Sequence, residues 1–477
     1  MKTLDEKIKQ EFPEESVIKI PQNYSVFAGK NLPSFIKDFL IKRYTDSYGN
    51  LDRNGILKFF SDHIPSKNNN LKNRLRTHRE EVTVLARLII ETDLKNDRLL
   101  FSIPDLGIKP SEGRIPDHVA KKNKELKDGE LWGVITLIYQ PPADREKGFI
   151  ELVNYKAFKP YKVDLDYFCS ARREFTTLEW IDLLIRSMEY NPEGFDSISQ
   201  KLMFLSRLLI FVEPRLNLIE LAPKGTGKSY VFGNLSKYGW LISGGVVSRA
   251  KLFYDMQRKS MGMITLYDFI TLDEIQTIKF TDSAELRAAL KSFLEQGYTN
   301  IMGTRVESLA GFLIMGNISL SIENKPVSKK YFSELPDTFK ESALLERFHG
   351  FIEGWRLPRF NTSLLVHGHT LNVEYFSEIL HELRNNYLYA TIVDDLIDIP
   401  PKSDGRHVIA IKRLATAYLK LLFPNITNTE DVNKEDFNNF CLQPAIEKRK
   451  IILDQLRLID PEYSQEKYNI PDFKLSR

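Results

Sequence analysis

The sequence predicts an α/β protein whose main domain is a parallel sheet covered by helices, preceded by an α+β domain with a small β-barrel-like part. From residue 214 to about 320, apolar runs alternate with Gly-rich turns and helical patterns, which is typical of a parallel sheet. From about 100 to 165, short β-branched runs between Gly, Pro and charged loops predict a small barrel or sheet. Before these runs, apolar residues recur at helical spacing.

The first element in chain order is a helical region. Apolar residues repeat at helical spacing over 33–61 and 82–91, with a turn signal at Tyr48-Gly49-Asn50. The β-branched runs at 99–103, 132–139 and 148–153 follow. We therefore predict an N-terminal helical region at 1–95 and a β-rich, OB-like region at 96–168.

Two basic stretches accompany this β-rich region, one between its runs at 121–127 and one before it, formed by Lys67, Lys72, Arg74, Arg76 and Arg79. On a barrel with exposed aromatic residues, such charges would follow a phosphate backbone. A solvated loop and a solvated helix face account for them as well. Both interpretations stay open from sequence alone.

Composition limits the class of protein. The chain has 477 residues, is 42% hydrophobic and 27% charged, and carries a net charge of only +3. This excludes disordered, collagen-like and uniformly basic proteins, so a nucleic-acid surface must be a local patch or a channel lining. Two distant cysteines argue against a disulfide framework or a Cys-based zinc site. Without an apolar leader in 1–15 or an uninterrupted apolar run long enough to span a bilayer, we expect a cytoplasmic protein with no membrane partner.

The sheet domain begins with helices and then a phosphate loop. Thr176 and Glu179 form a capping-box pattern for a first helix, and residues 198–212 form a second. A buried strand at 216–221 leads directly into the Gly-rich segment 222–229 and a helix that starts at Lys228. This context predicts a loop whose N–H groups cradle the phosphates of ATP. Its candidate nucleotide contacts are Pro223, Lys224, Gly225, Thr226, Gly227, Lys228, Ser229 and Tyr230.

Within this loop, Lys228 would reach the β- and γ-phosphates and Ser229 would hold Mg²⁺. Ala222 occupies the position of the usual first Gly, which mainly shapes the turn. A second apolar strand ends at Asp273-Glu274, where Asp273 would bind Mg²⁺ through water and Glu274 would polarise the attacking water. The spacing from the phosphate loop makes both carboxylates candidate catalytic residues.

Three further positions complete an AAA+ pattern. Asn317 ends a third apolar strand, at the sensor 1 position, where its amide can donate to the γ-phosphate or the attacking water. Arg347 lies where this pattern places an arginine finger that enters the ATP site of a neighbouring subunit. A surface ion pair with Glu346 or another neighbour is the alternative. Arg406 and Arg413 share a helix face, and one is a candidate sensor 2 arginine, acting either in its own chain or across an interface.

The pattern gives an AAA+ parallel-sheet ATPase core at 169–360, an α-helical lid at 361–460 and a tail at 461–477. Between the carboxylates and Asn317, residues 297–309 read as a β-hairpin that turns at Gly303, with Arg305 as its basic tip. A hairpin just before sensor 1 is typical of the helicase-like AAA+ branch, where it points into the ring channel, and an ordinary surface hairpin is an equal alternative. His367 and His369 have no evident third ligand nearby, so we expect a loop or strand edge and no metal site.

Taken together, these motifs resemble the Lon-like AAA+ ATPases of bacterial bacteriophage-exclusion (BREX) systems. The resemblance extends from about residue 30 to 455 and includes Leu32–Leu40, Phe175–Asp182, Glu220–Ser229, Leu241–Gly245, Arg347–Trp355 and Leu419–Leu422. It implies an ATPase ring related to MCM-type helicases, with an N-terminal DNA-binding region, that acts in defence against phage. Stacking of two rings is also implied. Longer members continue into a Lon-protease-like domain, and since this chain ends at Arg477 we expect no proteolysis.

The expected function is a ring, expected to be a hexamer, that hydrolyses ATP with Mg²⁺, binds double-stranded DNA and works with other phage-defence proteins. Two alternatives stay open. One is a remodeller that threads polypeptide, which needs aromatic pore residues more than basic ones. The other is an ATP-gated scaffold on DNA with slow hydrolysis.

Overall fold

The structure is a computed structural model that describes residues 2–30, 32–46, 49–64, 71–93, 96–123, 126, 129–143, 147–158, 161–257 and 259–476. The chain folds into a helical N-terminal region, a β-barrel, a parallel-sheet core and a mainly helical C-terminal part. Across these ranges, no helix has both the length and the apolar character that crossing a bilayer requires.

The N-terminal region consists of short helices and one strand, α1 (Leu4–Glu11), β1 (Ser16–Lys19), α2 (Ser34–Tyr44), α3 (Arg53–His63) and α4 (Leu71–Thr77). The predicted helical period over 33–61 is confirmed by α2 and α3. Buried residues of α2, such as Ile36 and Leu40, belong to the same apolar cluster as the helices of the main domain. This region therefore packs as part of the main body.

A closed barrel follows, in the strand order β2-β3-β4-β6-β5. Its strands are β2 (Val82–Asp93), β3 (Arg98–Ile103), β4 (Ile108–Ile115), β5 (Gly129–Gln140) and β6 (Phe149–Ala157), with α5 (Asp117–Lys122) between β4 and β5. The strands predicted near 99–103, 132–139 and 148–153 are confirmed. The OB-like assignment stays a prediction.

The helical interpretation of 82–91 is wrong, because these residues form β2 and the barrel begins before the predicted boundary at residue 96. Alternate residues of β2, including Val84 and Leu88, are buried in the barrel interior. Leu85 lies on the other face and belongs to the cluster formed by the N-terminal helices and the main domain. With apolar residues on both faces, the strand loses its strict alternation and imitates a helical pattern.

Four helices connect the barrel to the sheet, α6 (Leu165–Ala171), α7 (Thr177–Ser187), α8 (Ile198–Leu205) and α9 (Leu209–Val212). The predicted capping box at the start of α7 is confirmed, since Thr176 and Glu179 exchange hydrogen bonds of 3.2 and 2.8 Å. The predicted helix 198–212 is divided by a short 3₁₀ turn between α8 and α9.

The core is a five-stranded parallel sheet in the order β17-β7-β16-β12-β8, formed by β7 (Asn217–Leu221), β8 (Gly239–Ser243), β12 (Phe269–Asp273), β16 (Gly311–Gly316) and β17 (Gly350–Glu353). Its helices are α10 (Lys228–Asn234), α11 (Arg249–Leu252), α12 (Ser283–Gln296) and α13 (Ser342–Leu345). Short pairs complete it, β9 (Val246–Val247) with β13 (Lys279–Phe280), β10 (Tyr254–Asp255) with β11 (Ser260–Met261), and β14 (Tyr298–Ile301) with β15 (Thr304–Glu307). The predicted parallel sheet is confirmed.

The C-terminal part contains β18 (Gly368–Leu371), α14 (Val373–Arg384), α15 (Leu388–Leu396), β19 (Ile397–Asp398), α16 (Gly405–Leu422), α17 (Lys434–Phe437), α18 (Gln443–Ile459) and β20 (Lys474–Leu475). Strand β18 pairs antiparallel with β1, so residues near the start of the chain are fixed beside the main domain. His369 lies in β18, and the described residues contain no group of three metal-ligating side chains. A lid role for this part stays a prediction.

Candidate nucleotide site

The phosphate loop joins β7 to α10. Every residue of β7 is buried, so the loop leaves the sheet from a fixed point. Gly225 and Gly227 have φ angles of 82° and 73°, in the left-handed region that favours glycine. At Gly227 a Cβ atom would also lie 1.7 Å from the hydroxyl oxygen of Tyr190. The loop therefore requires glycine at this position for both backbone and steric reasons.

The carboxyl edge of the sheet brings together the predicted catalytic side chains. Lys228 Nζ donates to Asn317 Oδ1 at 3.1 Å, and Ser229 Oγ donates to Asp273 Oδ2 at 2.5 Å. Asp273 is buried, and its other oxygen accepts from the backbone N–H of Glu274 at 2.8 Å. Glu274 itself is exposed, with a φ of 50° that turns the chain away from β12. The three strands β7, β16 and β12 thus place all five residues at one edge.

The charge balance of this edge suits a phosphate chain. Burial lowers the pKa of Lys228, and the nearby Glu220 and Asp273 carboxylates offset part of that effect. The side chains of Ser229 and Asp273 supply two neighbouring oxygen ligands. Magnesium typically takes one or two protein carboxylates and completes its shell with water and substrate phosphates. The residues present therefore fit Mg²⁺ bound together with a nucleotide.

A buried ion pair supports the loop from below. Arg207 and Glu220 are both fully buried, and the guanidinium donates to Glu220 Oε1 at 2.5 Å. A further N–H of Arg207 donates to the carbonyl of Thr226 within the loop at 2.9 Å. Sequence reasoning missed this pair, although an arginine inside the apolar run 202–212 and a glutamate inside a buried strand were its signals.

A cavity of about 630 Å³ adjoins the loop. Its apolar walls come from Tyr190, Phe360, Leu365 and Val366, and the two aromatic rings meet edge to face at 5.9 Å. The backbone N–H of Phe360 donates to the carbonyl of Gly225 at 2.7 Å, which holds this wall against the loop. An aromatic, largely apolar cavity beside a phosphate site has the properties that a nucleoside needs.

The three candidate arginines lie at the opposite, amino edge of the sheet. Arg413 donates to the carbonyl of Arg215, just before β7, at 3.0 Å, and burial lowers its pKa to about 10. Arg406 pairs with Glu346 at 2.7 Å, just before β17. The length of a five-residue strand, about 16 Å, separates this edge from the phosphate loop. Both arginines are engaged at this edge and neither has a described contact with the phosphate loop of its own chain, so the role of either as sensor 2 stays a prediction.

Arg347 belongs to the same edge. Its guanidinium pairs with Glu295 at 2.6 Å and also donates to the carbonyl of Ala343. This is the kind of neighbouring ion pair that the sequence left as an alternative, with Glu295 as the partner. Within one chain the residue is not part of the nucleotide site, and its role as an arginine finger stays a prediction.

The hairpin β14–β15 turns at Met302-Gly303, as predicted. The prediction of Arg305 as its tip is wrong, because Arg305 pairs in register with Asn300 inside the hairpin. Its guanidinium lies 3.9 Å from the ring centroid of Tyr298 and pairs with Glu307. Met302 occupies the tip and is 72% exposed. A tight turn exposes its central residues, Met302 and Gly303, whereas Arg305 already belongs to strand β15.

The basic stretches are only partly described. Lys121 and Lys122 are exposed on α5, whereas Lys67, Lys124 and Lys127 lie outside the described residues. On α4, Lys72 pairs with Glu112 and Arg74 with Glu80, at 2.7 and 2.8 Å. These acidic partners reduce the positive charge of that helix.

Two family models match most of the chain. The family model described as "Lon-like protease BrxL-like, ATPase domain" matches residues 150–469, which is more than half of the chain. The chain belongs to the BrxL family. A second model, "BREX system Lon protease-like protein BrxL N-terminal", matches residues 10–139 of this BrxL-family chain. The resemblance seen in the motifs is confirmed.

Two curated relatives are named Lon-like protease BrxL. The protein of Escherichia coli O9:H4 (strain HS) is 26% identical over 435 residues, which is 90% of this chain and 61% of the relative. The protein of Bacillus cereus (strain H3081.97) is 26% identical over 441 residues, 90% of this chain and 63% of the relative. This BrxL-family chain thus spans a little over three fifths of the length of either relative.

Proposed function

We propose that this chain is the subunit of an ATP-hydrolysing ring that binds double-stranded DNA and acts in defence against phage. One observation carries the ATPase assignment. At the carboxyl edge of the sheet, Lys228 is hydrogen-bonded to Asn317 and Ser229 to Asp273, beside a cavity that suits a nucleoside. The defence role comes from membership of the BrxL family.

In this proposal each residue has a defined task. Lys228 binds the β- and γ-phosphates, while Ser229 and Asp273 hold Mg²⁺, which neutralises phosphate charge when bound. Because Asn317 accepts from Lys228 through its oxygen, its amide N–H groups remain to donate to the γ-phosphate or the attacking water. Glu274, exposed next to Asp273, accepts a proton from that water.

The test is ATP turnover with and without Mg²⁺. Lys228→Ala removes the charge that binds the phosphates, so we expect turnover to fall to background and ATP affinity to drop. Lys251→Ala, an exposed lysine on α11, is the matched control and should keep wild-type turnover. Wild-type turnover in Lys228→Ala would refute the assignment.

The ring proposal follows from Arg347. Arg347 lies at the amino edge, about a strand length from its own phosphate loop, so the predicted finger role requires the phosphate loop of a neighbouring subunit. We expect Arg347→Ala and Lys228→Ala each to be inactive alone. Equimolar mixing should restore about a quarter of the sites, where an intact loop meets an intact arginine. Failure of the mixture to recover activity, with assembly verified by mass measurement, would contradict a shared site.

The DNA proposal is supported by the closed barrel and the exposed lysines of α5. If six to ten phosphate contacts form, affinity for duplex DNA should fall roughly 10³- to 10⁵-fold between 50 and 200 mM salt. Fluorescence anisotropy with and without ATP measures this slope. Lys121→Glu combined with Lys122→Glu should weaken DNA binding. Lys325→Glu, which changes an exposed lysine of the parallel-sheet domain, is the control and should leave DNA binding unchanged.

One observation favours a second candidate. The exposed hairpin tip is Met302, an apolar residue, and apolar tips suit contact with polypeptide better than contact with phosphates. A protein remodeller would bind unfolded protein with little salt dependence. Absence of DNA binding at low salt, together with ATP turnover stimulated by an unfolded protein, would favour that function. Lack of proteolysis stays a prediction, because "protease" in the relatives' names refers to longer proteins.

A further inference from the structure

The N-terminal region supplies one wall of the cavity next to the phosphate loop. Lys19, Pro21 and Tyr24 line it, although they precede the loop by about two hundred positions. Strand β1, which ends at Lys19, is held in place by its antiparallel pairing with β18. The cavity is therefore formed jointly by the N-terminal region and the ATPase domain.

A buried charge network fixes this wall. Lys19 is 2% exposed, and its ammonium group pairs with Asp38 of α2 and with Glu189, the latter at 2.7 Å. The hydroxyl of Tyr24 donates to Asp38 at 2.7 Å. Burial lowers the pKa of Lys19, but the two carboxylates outweigh burial and raise it, so the ammonium stays charged.

The same network reaches the phosphate loop. Tyr230 directly follows Ser229, its hydroxyl donates to Glu189, and it lies 2.9 Å from the hydroxyl of Ser34 in α2. One carboxylate, Glu189, thus contacts both the N-terminal lysine and the first turn after the loop. Movement of α2 away from the core would break contacts on both sides.

We propose that the N-terminal region is a structural part of the nucleotide site, so that its docking against the core and the binding of a nucleoside triphosphate stabilise each other. The inference rests on the proposed ATP binding at the phosphate loop. It adds that the nucleoside part of the ligand, and not the phosphates alone, contacts the wall formed by residues 19–24. A ligand that binds only the docked form must favour docking. This linkage gives the nucleotide state a direct route to the N-terminal region.

The first test partly fills the cavity with a larger side chain at an exposed position of its N-terminal wall. Pro21→Trp places a large ring at the cavity, whereas Gln22→Trp, also exposed and next to it, does not line the cavity and is the matched control. Binding is measured by calorimetry with Mg²⁺ and either ATP or inorganic tripolyphosphate, which has no nucleoside. We expect Pro21→Trp to weaken ATP binding about tenfold or more and to leave tripolyphosphate binding within about twofold.

Gln22→Trp should leave both ligands at wild-type affinity. Wild-type affinity for ATP in Pro21→Trp would overturn the inference and leave the proposed function intact. If the wild-type protein bound neither ATP nor tripolyphosphate, the proposed function itself would fail. The two failures are therefore distinguishable.

The second test measures docking by amide hydrogen exchange. In the wild-type protein, ATP should slow exchange in β1 and α2 as well as around the phosphate loop, and tripolyphosphate should slow it mainly around the loop. Lys19→Met should abolish the ATP effect in β1 and α2. Lys7→Met is the control, because Lys7 also joins the N-terminal region to the core, through a more exposed ion pair with Glu179 in the first turn of α7. If Lys19→Met does not fold, the comparison of ATP with tripolyphosphate in the wild-type protein still tests the inference. Slower exchange with ATP that is confined to residues 222–234 would overturn it.

Discussion

The ion pair beneath the phosphate loop offers a sharp test of how the site is supported. The substitution Arg207→Met places an unbranched, uncharged and shorter side chain at this buried position and removes four hydrogen bonds, three to the two Glu220 oxygens and one to the Thr226 carbonyl. Glu220 would remain as a fully buried carboxylate without its cation. The loop would also lose the hydrogen bond that joins Thr226 to the 3₁₀ turn between α8 and α9.

The magnitude follows from the burial of both partners. Removing one partner of a buried ion pair costs about 3–5 kcal/mol, because the remaining charge is left unpaired. For a unit of 150–250 residues, each kcal/mol lowers the melting temperature by roughly 2–4 °C, so we expect a decrease of roughly 6–20 °C. Arg207→Met combined with Glu220→Leu removes both charges and should recover most of this loss.

The assay combines thermal melting with ATP binding below the melting temperature. Arg449→Met is the control, because Arg449 is equally buried but donates to the carbonyls of Glu346 and Phe348 at the amino edge. It should lower stability and leave ATP affinity unchanged, whereas Arg207→Met should lower both. If Arg207→Met kept the melting temperature and the ATP affinity of the wild type, the Arg207–Glu220 pair would not support the phosphate loop.

Two further predictions concern the loop glycines and a buried lysine. Gly227→Ala should weaken ATP binding more than Gly225→Ala. Both positions have a positive φ, but only a Cβ at Gly227 would overlap Tyr190. Equal losses of ATP affinity in a binding titration would contradict this prediction. Lys448→Met should raise thermal stability at neutral pH. Burial lowers the pKa of Lys448 from 10.5 to about 8, so between these values the unfolded chain holds a proton that the folded chain lacks, and stability rises with pH. The advantage of Lys448→Met should therefore shrink on going from about pH 7 to about pH 10, and an advantage that stays constant in melting curves would speak against it.

Much of the site could be predicted because its chemistry is encoded in short segments. A buried strand followed by a Gly-rich turn, and two further strands that end in Asp273 and Asn317, place polar groups at one edge of any parallel sheet. The structure brings these groups into direct contact.

The remaining features depend on contacts between distant segments. Strand β2 resembled a helix because Leu85 packs outside the barrel, and no local pattern reveals a second apolar environment. Lys19 is placed at the nucleotide site by the pairing of β1 with β18, which joins residues about 350 positions apart in the chain, and by ion pairs with Asp38 and Glu189. The arginines at 406 and 413 share a helix face, but the edge of the sheet that this face meets is set by tertiary packing.

The most direct test of the central claim is ATP turnover by Glu274→Gln, measured beside ATP affinity. This substitution keeps the shape of an exposed side chain and removes only its ability to accept a proton. We expect Glu274→Gln to bind ATP with wild-type affinity and to turn it over roughly 10²- to 10⁴-fold more slowly, with Glu323→Gln, an exposed control, unaffected. Turnover by Glu274→Gln at the wild-type rate would contradict the assignment of this edge of the sheet as the site of ATP hydrolysis.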